Sequence, residues 1–149
     1  MENLHKRSFV SAIQKLVVDK DKPLLGICLG MQLLGTVGYE FGETPGLNII
    51  PGKVVKLEVG LLRLPHVGWN DLNVSRPNSV ITPEFQDQAV YFVHSYHLAT
   101  ERAEDTCATS EYGMNFTACV SRGKTFGAQF HPEKSQIFGL KLLQNFVSL

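Results

Sequence analysis

The alternation of apolar and polar positions predicts a helix at each end of the chain and strands between them. Apolar residues recur at roughly helical spacing from Leu4 to Val17, which predicts an amphipathic surface helix. The same spacing from Ile137 to Val147 predicts a final helix that packs back on a sheet. Strand-like composition marks the segments 23–28, 54–57, 90–93, 106–109, 116–120 and 125–130.

The first of these strands decides the predicted fold class. Leu24, Leu25 and Ile27 form a short apolar run, as expected of a strand buried on both faces in a parallel sheet, and a helical pattern begins directly afterwards. We therefore predict an α/β fold with a mostly parallel central sheet and flanking helices. The glycine-rich segment 35–52 is predicted to be a long loop, and segments 112–115 and 121–124 to be turns.

Composition narrows the classes of function. Lys and Arg together number 14, as do Asp and Glu, so the net charge offers no general attraction for nucleic acid or an anionic membrane. The longest apolar runs are too short to span a membrane. Cys28, Cys107 and Cys119 form no CxxC pair, which favours a reducing cytoplasm over a disulfide framework.

The segment Gly26-Ile27-Cys28-Leu29-Gly30 has the pattern of a nucleophile elbow, in which a strand turns abruptly into a helix. The flanking glycines would remove side chains that crowd the turn, and the helix N-terminus would favour the thiolate of Cys28. The alternative is that Cys28 is a small buried apolar residue in a glycine-lined turn.

A candidate base and its supporting acid follow the last predicted strand. His131 could take the thiol proton, while Glu133 holds the imidazole in one orientation and Pro132 stiffens the segment between them. The alternative is a turn in which Glu133 caps the next helix and His131 lies on the surface.

Two further groups of residues have more than one interpretation. His66, His94 and His97 lack the spacing of a metal-binding helix, so no metal site is predicted. Trp69, the only tryptophan, lies in the segment Pro65-His66-Val67-Gly68-Trp69-Asn70. It could be an exposed anchor for a protein partner or a core residue in a turn.

Four sequence blocks carry a resemblance to a known family. They are GICLGMQLL from Gly26, PHVGWN from Pro65, YFVHSY from Tyr91 and QFHPEKS from Gln129. Together they resemble the class I glutamine amidotransferases, and among these the amidotransferase subunits of imidazole glycerol phosphate synthases. The resemblance covers essentially the whole chain.

The resemblance implies a reaction and a set of site residues. Cys28 would attack the side-chain amide of glutamine to give a thioester, with His131 relaying protons and Glu133 supporting it, and ammonia would be the useful product. No cofactor is implied. The residues expected to bind glutamine are Gly30, Gln32, Glu40, His94, Ser95 and Tyr96.

The resemblance also implies a partner. Ammonia would pass within a heterodimer to a barrel-shaped cyclase subunit, which makes imidazole glycerol phosphate and an aminoimidazole carboxamide ribonucleotide in histidine biosynthesis. Pro65, His66 and Trp69 would face that subunit.

Two other functions stay open at this stage. One is an amidotransferase subunit for another acceptor, such as a surface-polysaccharide sugar. The other is a truncated partner-binding module without catalysis, because family members carry further N-terminal strands and a PGVG-type turn that supplies oxyanion-stabilising amides. We therefore expect residues 1–149 to form one amidotransferase domain that is incomplete at its N-terminus.

Overall fold

A five-stranded sheet forms one side of the molecule, and its edge strand leads directly into a helix. The computed structural model describes residues 1–149, apart from the side chain of residue 18. Strand β1 (Leu24–Ile27) pairs in parallel with strand β11 (Thr125–Ala128), and the register places Ile27 beside Ala128. The sheet order is β1-β11-β10-β9-β6, with β6 at Asn73–Val74, β9 at Thr106–Glu111 and β10 at Asn115–Arg122.

The predicted α/β class is confirmed, but the strand directions differ from those of a mostly parallel sheet. Only the β1–β11 pair in this sheet is parallel, and the other pairings are antiparallel. Very short turns cause this difference, because two neighbouring strands joined by a tight turn must run in opposite directions. Residues 112–114 join β9 to β10, and Gly123 and Lys124 join β10 to β11.

The remaining strands form two smaller sheets. One of them pairs β5 (His66–Asp71) with β7 (Ala89–His94), and its register places His66 opposite His94 and Trp69 opposite Tyr91. The predicted loop 35–52 is mostly irregular, with only two-residue strands inside it. The other sheet has four strands in the order β3-β2-β4-β8. Their ranges are Val37–Gly38 for β2, Thr44–Pro45 for β3, Gly52–Lys56 for β4 and Tyr96–Thr100 for β8.

The predicted opening helix is interrupted. Helix α1 covers Glu2–Lys6 and helix α2 covers Phe9–Gln14, and a π-helical turn follows at Lys15–Asp19. Ser8 separates α1 from α2 because its φ angle of 58° is incompatible with a continuous right-handed helix. Neither helix buries a residue fully, so this segment lies on the surface as predicted.

The closing helix is continuous and packs against strand β7 and the main apolar cluster. Helix α4 spans Gln136–Val147 and buries Leu142 in the main apolar cluster, which also contains Phe92, Phe116 and Phe130. Helix α3 is short, at Leu29–Leu33, and buries Met31 in the second cluster. Among the described residues, none of the helices has both the length and the apolar character needed to cross a membrane.

Two leucines on helix α4 provide a matched test of this packing. Leu142 is 0% exposed, whereas Leu140 is 64% exposed. We expect Leu142→Ala to lower the free energy of unfolding by about 2–5 kcal/mol, because it leaves a cavity in the core. Leu140→Ala should change it by no more than about 0.5 kcal/mol. Urea unfolding of both variants checks this, and equal losses would contradict the packing described.

Candidate active site

The turn between β1 and α3 holds Cys28 in an unusual backbone conformation. Its φ and ψ angles are 49° and −107°, a region that non-glycine residues rarely adopt. The Cys28 N–H donates to the carbonyl oxygen of Ala128 at 2.8 Å, which continues the β1–β11 pairing by one residue. A strained residue at a strand-to-helix turn is the geometry of a nucleophile elbow.

Of the two glycines that flank the turn, only Gly26 lies where a side chain would clash with the backbone. A Cβ atom on Gly26 would lie 2.6 Å from the carbonyl oxygen of Gly30. A Cβ atom on Gly30 would meet nothing within 4 Å. The predicted crowding therefore applies to Gly26 and is wrong for Gly30, whose Cα faces open space beside the start of α3.

The sulfur of Cys28 is half-buried and has few polar neighbours. The Gln129 amide Nε2 lies 3.6 Å from it, and the Val93 carbonyl oxygen lies 3.8 Å away. Burial raises the pKa of the Cys28 thiol, and the charge of Glu133 adds to this, while hydrogen bonds from the Leu29 N–H and Gln129 act in the opposite direction. The prediction that the helix N-terminus makes the thiolate the favoured form is therefore wrong for the resting protein, because desolvation is the larger effect. Cys28 needs a base.

His131 and Glu133 form the expected pair. The imidazole Nδ1 of His131 lies 2.8 Å from Oε1 of Glu133, so Nδ1–H donates to the carboxylate and Nε2 is left as the basic nitrogen. Glu133 is in the ionised form that this bond requires. Burial acts to raise its pKa, but the bonds from its own backbone N–H and from His131 outweigh this and lower it.

The backbone of the base is fixed to a neighbouring strand. The His131 N–H donates to the carbonyl oxygen of Tyr91 at 2.9 Å. The Ser135 hydroxyl donates to the His131 carbonyl oxygen at 2.7 Å and accepts from the Tyr91 N–H at 2.9 Å. A 3-10 turn at Pro132–Lys134 carries Glu133 back towards the imidazole, rather than capping the next helix through its side chain.

The parallel pairing brings Cys28 and His131 to one edge of the sheet. Cys28 directly follows β1, and His131 follows β11 by three residues. Because the carboxyl ends of adjacent parallel strands lie side by side, both residues leave the sheet at the same end. The effect of Glu133 on the pKa of Cys28 is consistent with this proximity.

Two residues expected to bind substrate line the same cavity, which Cys28 itself does not line. Gln32 and Glu40 line a space of about 160 Å³ together with Leu29, the residue after the nucleophile. Gln32 Nε2 donates to the Tyr96 carbonyl oxygen at 2.8 Å, so the expected backbone segment 94–96 adjoins the same helix. Gly30 and Ser95 do not line this cavity.

His94 and His66 form a buried pair instead of lining an open site. His94 Nδ1 lies 2.9 Å from the Tyr96 carbonyl oxygen, so Nδ1–H donates there and Nε2 is left as an acceptor. His66 Nδ1 lies 3.2 Å from that Nε2 and donates to it. The pKa of His94 is lowered to about 4, mostly by burial, and the charges of His66, His97 and His131 act in the same direction. The hydrogen bond to the Tyr96 carbonyl raises this pKa, but by less than burial lowers it.

The expectation that His66 faces a partner is wrong. Its side chain is only 3% exposed and stacks on Tyr112, with ring centroids 4.1 Å apart. Alternation along β5 explains this: His66 points into the core, whereas Val67 and Trp69 are exposed. Pro65 is also exposed, and Trp69 packs edge-on against Tyr91, so the interpretation of Trp69 as a core residue is wrong as well.

Gln129 is the site residue that the sequence pattern did not single out. It is fully buried, directly follows β11 and contacts Cys28. The available signal was a lone amide between apolar positions, two residues before His131. Among the described residues, no group of three or more His, Cys, Asp or Glu side chains is arranged to hold a metal ion.

Comparisons with known proteins agree with the fold. The family model described as glutamine amidotransferase class-I matches residues 5–148, so the chain belongs to that family. A solved glutamine amidotransferase from Thermotoga maritima shares the fold, with a TM-score of 0.64 over 95% of this chain and 54% of that one, at 22% identity.

Two curated relatives within the family are similar to this chain in sequence. Both are named imidazole glycerol phosphate synthase subunit HisH. The Syntrophotalea carbinolica protein is 45% identical over 98% of this chain and 73% of its own length. The Moorella thermoacetica protein is 42% identical over 100% of this chain and 70% of its own length.

The two glycines of the elbow give a matched test of its geometry. Gly26→Ala should lower the free energy of unfolding by about 1–3 kcal/mol, because the new methyl group meets the Gly30 carbonyl and the turn must shift. Gly30→Ala should leave it unchanged or raise it by up to about 1 kcal/mol, because glycine weakens a helix. Urea unfolding measures both, and a costly Gly30→Ala with a harmless Gly26→Ala would contradict the geometry.

The lowered pKa of His94 predicts a loss of stability in mild acid. The unfolded chain, with an ordinary histidine pKa of 6.5, binds this proton more readily than the folded chain, whose pKa is about 4. The free energy of unfolding should therefore fall as pH falls below 6.5, by about 2 kcal/mol from this group between pH 7 and pH 5. Urea unfolding at both pH values checks this.

The control variants separate His94 from the other histidines. His94→Gln should reduce the difference between pH 7 and pH 5, although burial also lowers the pKa of His66 and His97 and these still contribute. His5→Gln, on the exposed face of α1, should retain the full difference. An unchanged pH dependence in His94→Gln would contradict the assignment.

Proposed function

We propose that this chain hydrolyses glutamine to glutamate and ammonia, and that it delivers the ammonia to a synthase partner. The observation that carries the proposal is the placement of Cys28 and the His131–Glu133 pair at adjacent ends of the parallel strands β1 and β11. A nucleophile, a base and an orienting acid are the groups that acyl transfer from an amide requires.

The chemistry follows from the protonation states at the site. His131 Nε2 removes the proton from the Cys28 thiol as the sulfur attacks the carbonyl carbon of the glutamine side chain. The imidazolium, stabilised by Glu133, then protonates the leaving nitrogen, and ammonia departs from the tetrahedral intermediate. Water attacks the resulting thioester with His131 again as base, which releases glutamate and restores the thiol.

The cavity beside α3 supports the choice of substrate. Gln32 offers an amide and Glu40 a carboxylate that suits the ammonium group of an amino acid. The backbone around residues 94–96, with its carbonyl at Tyr96, would hold the amino-acid end of glutamine. Gly30 leaves open space beside the nucleophile.

The partner we propose is the barrel-shaped cyclase subunit of an imidazole glycerol phosphate synthase, in a heterodimer that serves histidine biosynthesis in the cytoplasm. The relatives named HisH support this choice over an acceptor such as a polysaccharide sugar. Val67 and Trp69 project from one face of β5 with Pro65 beside them, and exposed apolar residues of this kind suit a protein interface. The three unpaired cysteines are consistent with a reducing compartment.

Substitutions of the three proposed catalytic residues should reduce glutamate release to different extents. Cys28→Ala should abolish it, by about ten-thousandfold or more, because the sulfur proposed to form the thioester is removed. His131→Asn should have a similar effect, and Glu133→Gln a smaller one, because the base is retained but its orientation and charge are less well supported. Glutamate release is measured with the purified cyclase subunit and its ligand present.

Cys107→Ala is the matched control, because it removes a buried thiol on β9 rather than the one at the elbow. It should retain most of the activity of the parent chain. Activity that persists in Cys28→Ala would contradict the proposal. Binding of the cyclase subunit without any glutamate release would favour a partner-binding module.

A further inference from the structure

The amide of Gln129 links the nucleophile to the helix that lines the proposed substrate cavity. Its Nε2 lies 3.6 Å from Sγ of Cys28, and its Oε1 accepts from Nε2 of Gln32 at 3.2 Å. Gln32 Nε2 also donates to the Tyr96 carbonyl oxygen at 2.8 Å. Both polar atoms of the buried Gln129 amide therefore have a partner: Nε2 faces the sulfur of Cys28, and Oε1 accepts from Gln32 on α3.

The direction of the Gln129 amide follows from its partners. The Tyr96 carbonyl can only accept, so the atom of Gln32 that faces it is the nitrogen. That nitrogen can only donate, so the atom of Gln129 that faces Gln32 is the oxygen. The Gln129 nitrogen must then point at the sulfur, and its N–H is the donor in that contact.

The main chain of Gln129 is held as firmly as its side chain. The Gln129 N–H donates to the Ala118 carbonyl oxygen of β10 at 2.8 Å. The side chain is 0% exposed, so water does not compete for its amide. An N–H donor at a fixed position bonds more strongly to a charged sulfur than to a neutral one, because the acceptor is then negative.

We propose that Gln129 is a positioning residue that holds the sulfur of Cys28 and stabilises its thiolate form, with Gln32 keeping the amide in the required orientation. Its importance for turnover rests on the proposed function, but its effect on the sulfur does not. The Gln129 bond acts against the desolvation that otherwise favours the thiol. Gln32 lines the cavity and contacts Gln129. A molecule bound in the cavity that moves Gln32 can therefore also move the Gln129 N–H that faces the sulfur of Cys28.

The pH dependence of Cys28 alkylation by iodoacetamide tests this role. Cys28 is partly exposed, whereas Cys107 and Cys119 are buried, so Cys28 should react first, and Cys28→Ala gives the background. Gln129→Met keeps the length of the side chain and removes its donor. We expect the midpoint of the alkylation profile to rise by roughly half a pH unit or more, which is about threefold less thiolate at a fixed lower pH.

Gln129→Leu is the second variant and decides the question if Gln129→Met does not fold. It removes the N–H donor without adding a charge beside the sulfur, so the midpoint should rise by a similar amount. Asn145→Leu is the matched control, because it removes an amide donor to the Val80 carbonyl from α4. It should lower stability and leave the midpoint unchanged.

The outcomes separate this proposal from the proposed function. A midpoint equal to that of the parent chain in the folded Gln129 variants would overturn the positioning role. A raised midpoint in a chain that does not release glutamate would retain the positioning role and contradict the proposed function. A midpoint that rises as much in Asn145→Leu would show a general loss of stability and would also overturn the positioning role.

Discussion

The parallel pairing of β1 with β11 is the constraint on which the rest of the site depends. Its register places Ile27 beside Ala128, and one further hydrogen bond from the Cys28 N–H closes the pair at the elbow. Shifting the register by one residue would turn alternate side chains to the opposite face of the sheet. Cys28, Gln129 and His131 would then no longer leave the sheet towards a common space.

Because the sulfur of Cys28 is partly buried at this edge, the proposed reaction needs several residues to act together. The sulfur is desolvated enough that its pKa is raised, so the resting nucleophile is a thiol. In the mechanism we propose, a thiol requires a base, and His131, whose Nδ1 is bonded to Glu133, would be that base through Nε2. The neutral His94–His66 pair fills the core behind the site without adding positive charge.

The sequence was sufficient for the parts of the site that depend on local pattern. The elbow at Cys28, the adjacent His131 and Glu133, and the closing helix all follow from short runs whose spacing reports directly on the backbone. The strand directions were less accessible, although the tight turn at Gly123 and Lys124 already required antiparallel neighbours. Strand β5 was harder to predict because its alternation is inverted: the polar His66 lies on the inward face, whereas the apolar Val67 and Trp69 are exposed.

Properties that depend on three-dimensional packing were mispredicted for physical reasons. The pKa of Cys28 depends on burial, which the pentapeptide around it cannot reveal. The inward direction of His66 depends on which face of β5 meets Phe92 and Tyr112. Gln129 gave only a weak signal, since its partners Cys28 and Gln32 are distant in sequence.

Covalent labelling with a chloroketone analogue of glutamine tests the central claim most directly. The analogue should bind as glutamine does and present an electrophilic carbon to the nucleophile. The account predicts a single adduct that mass spectrometry locates on Cys28, and excess glutamine should prevent it while glutamate protects less. Labelling of Cys107 or Cys119, or labelling of Cys28 that glutamine does not affect, would contradict the claim that Cys28 is the nucleophile of a glutamine site.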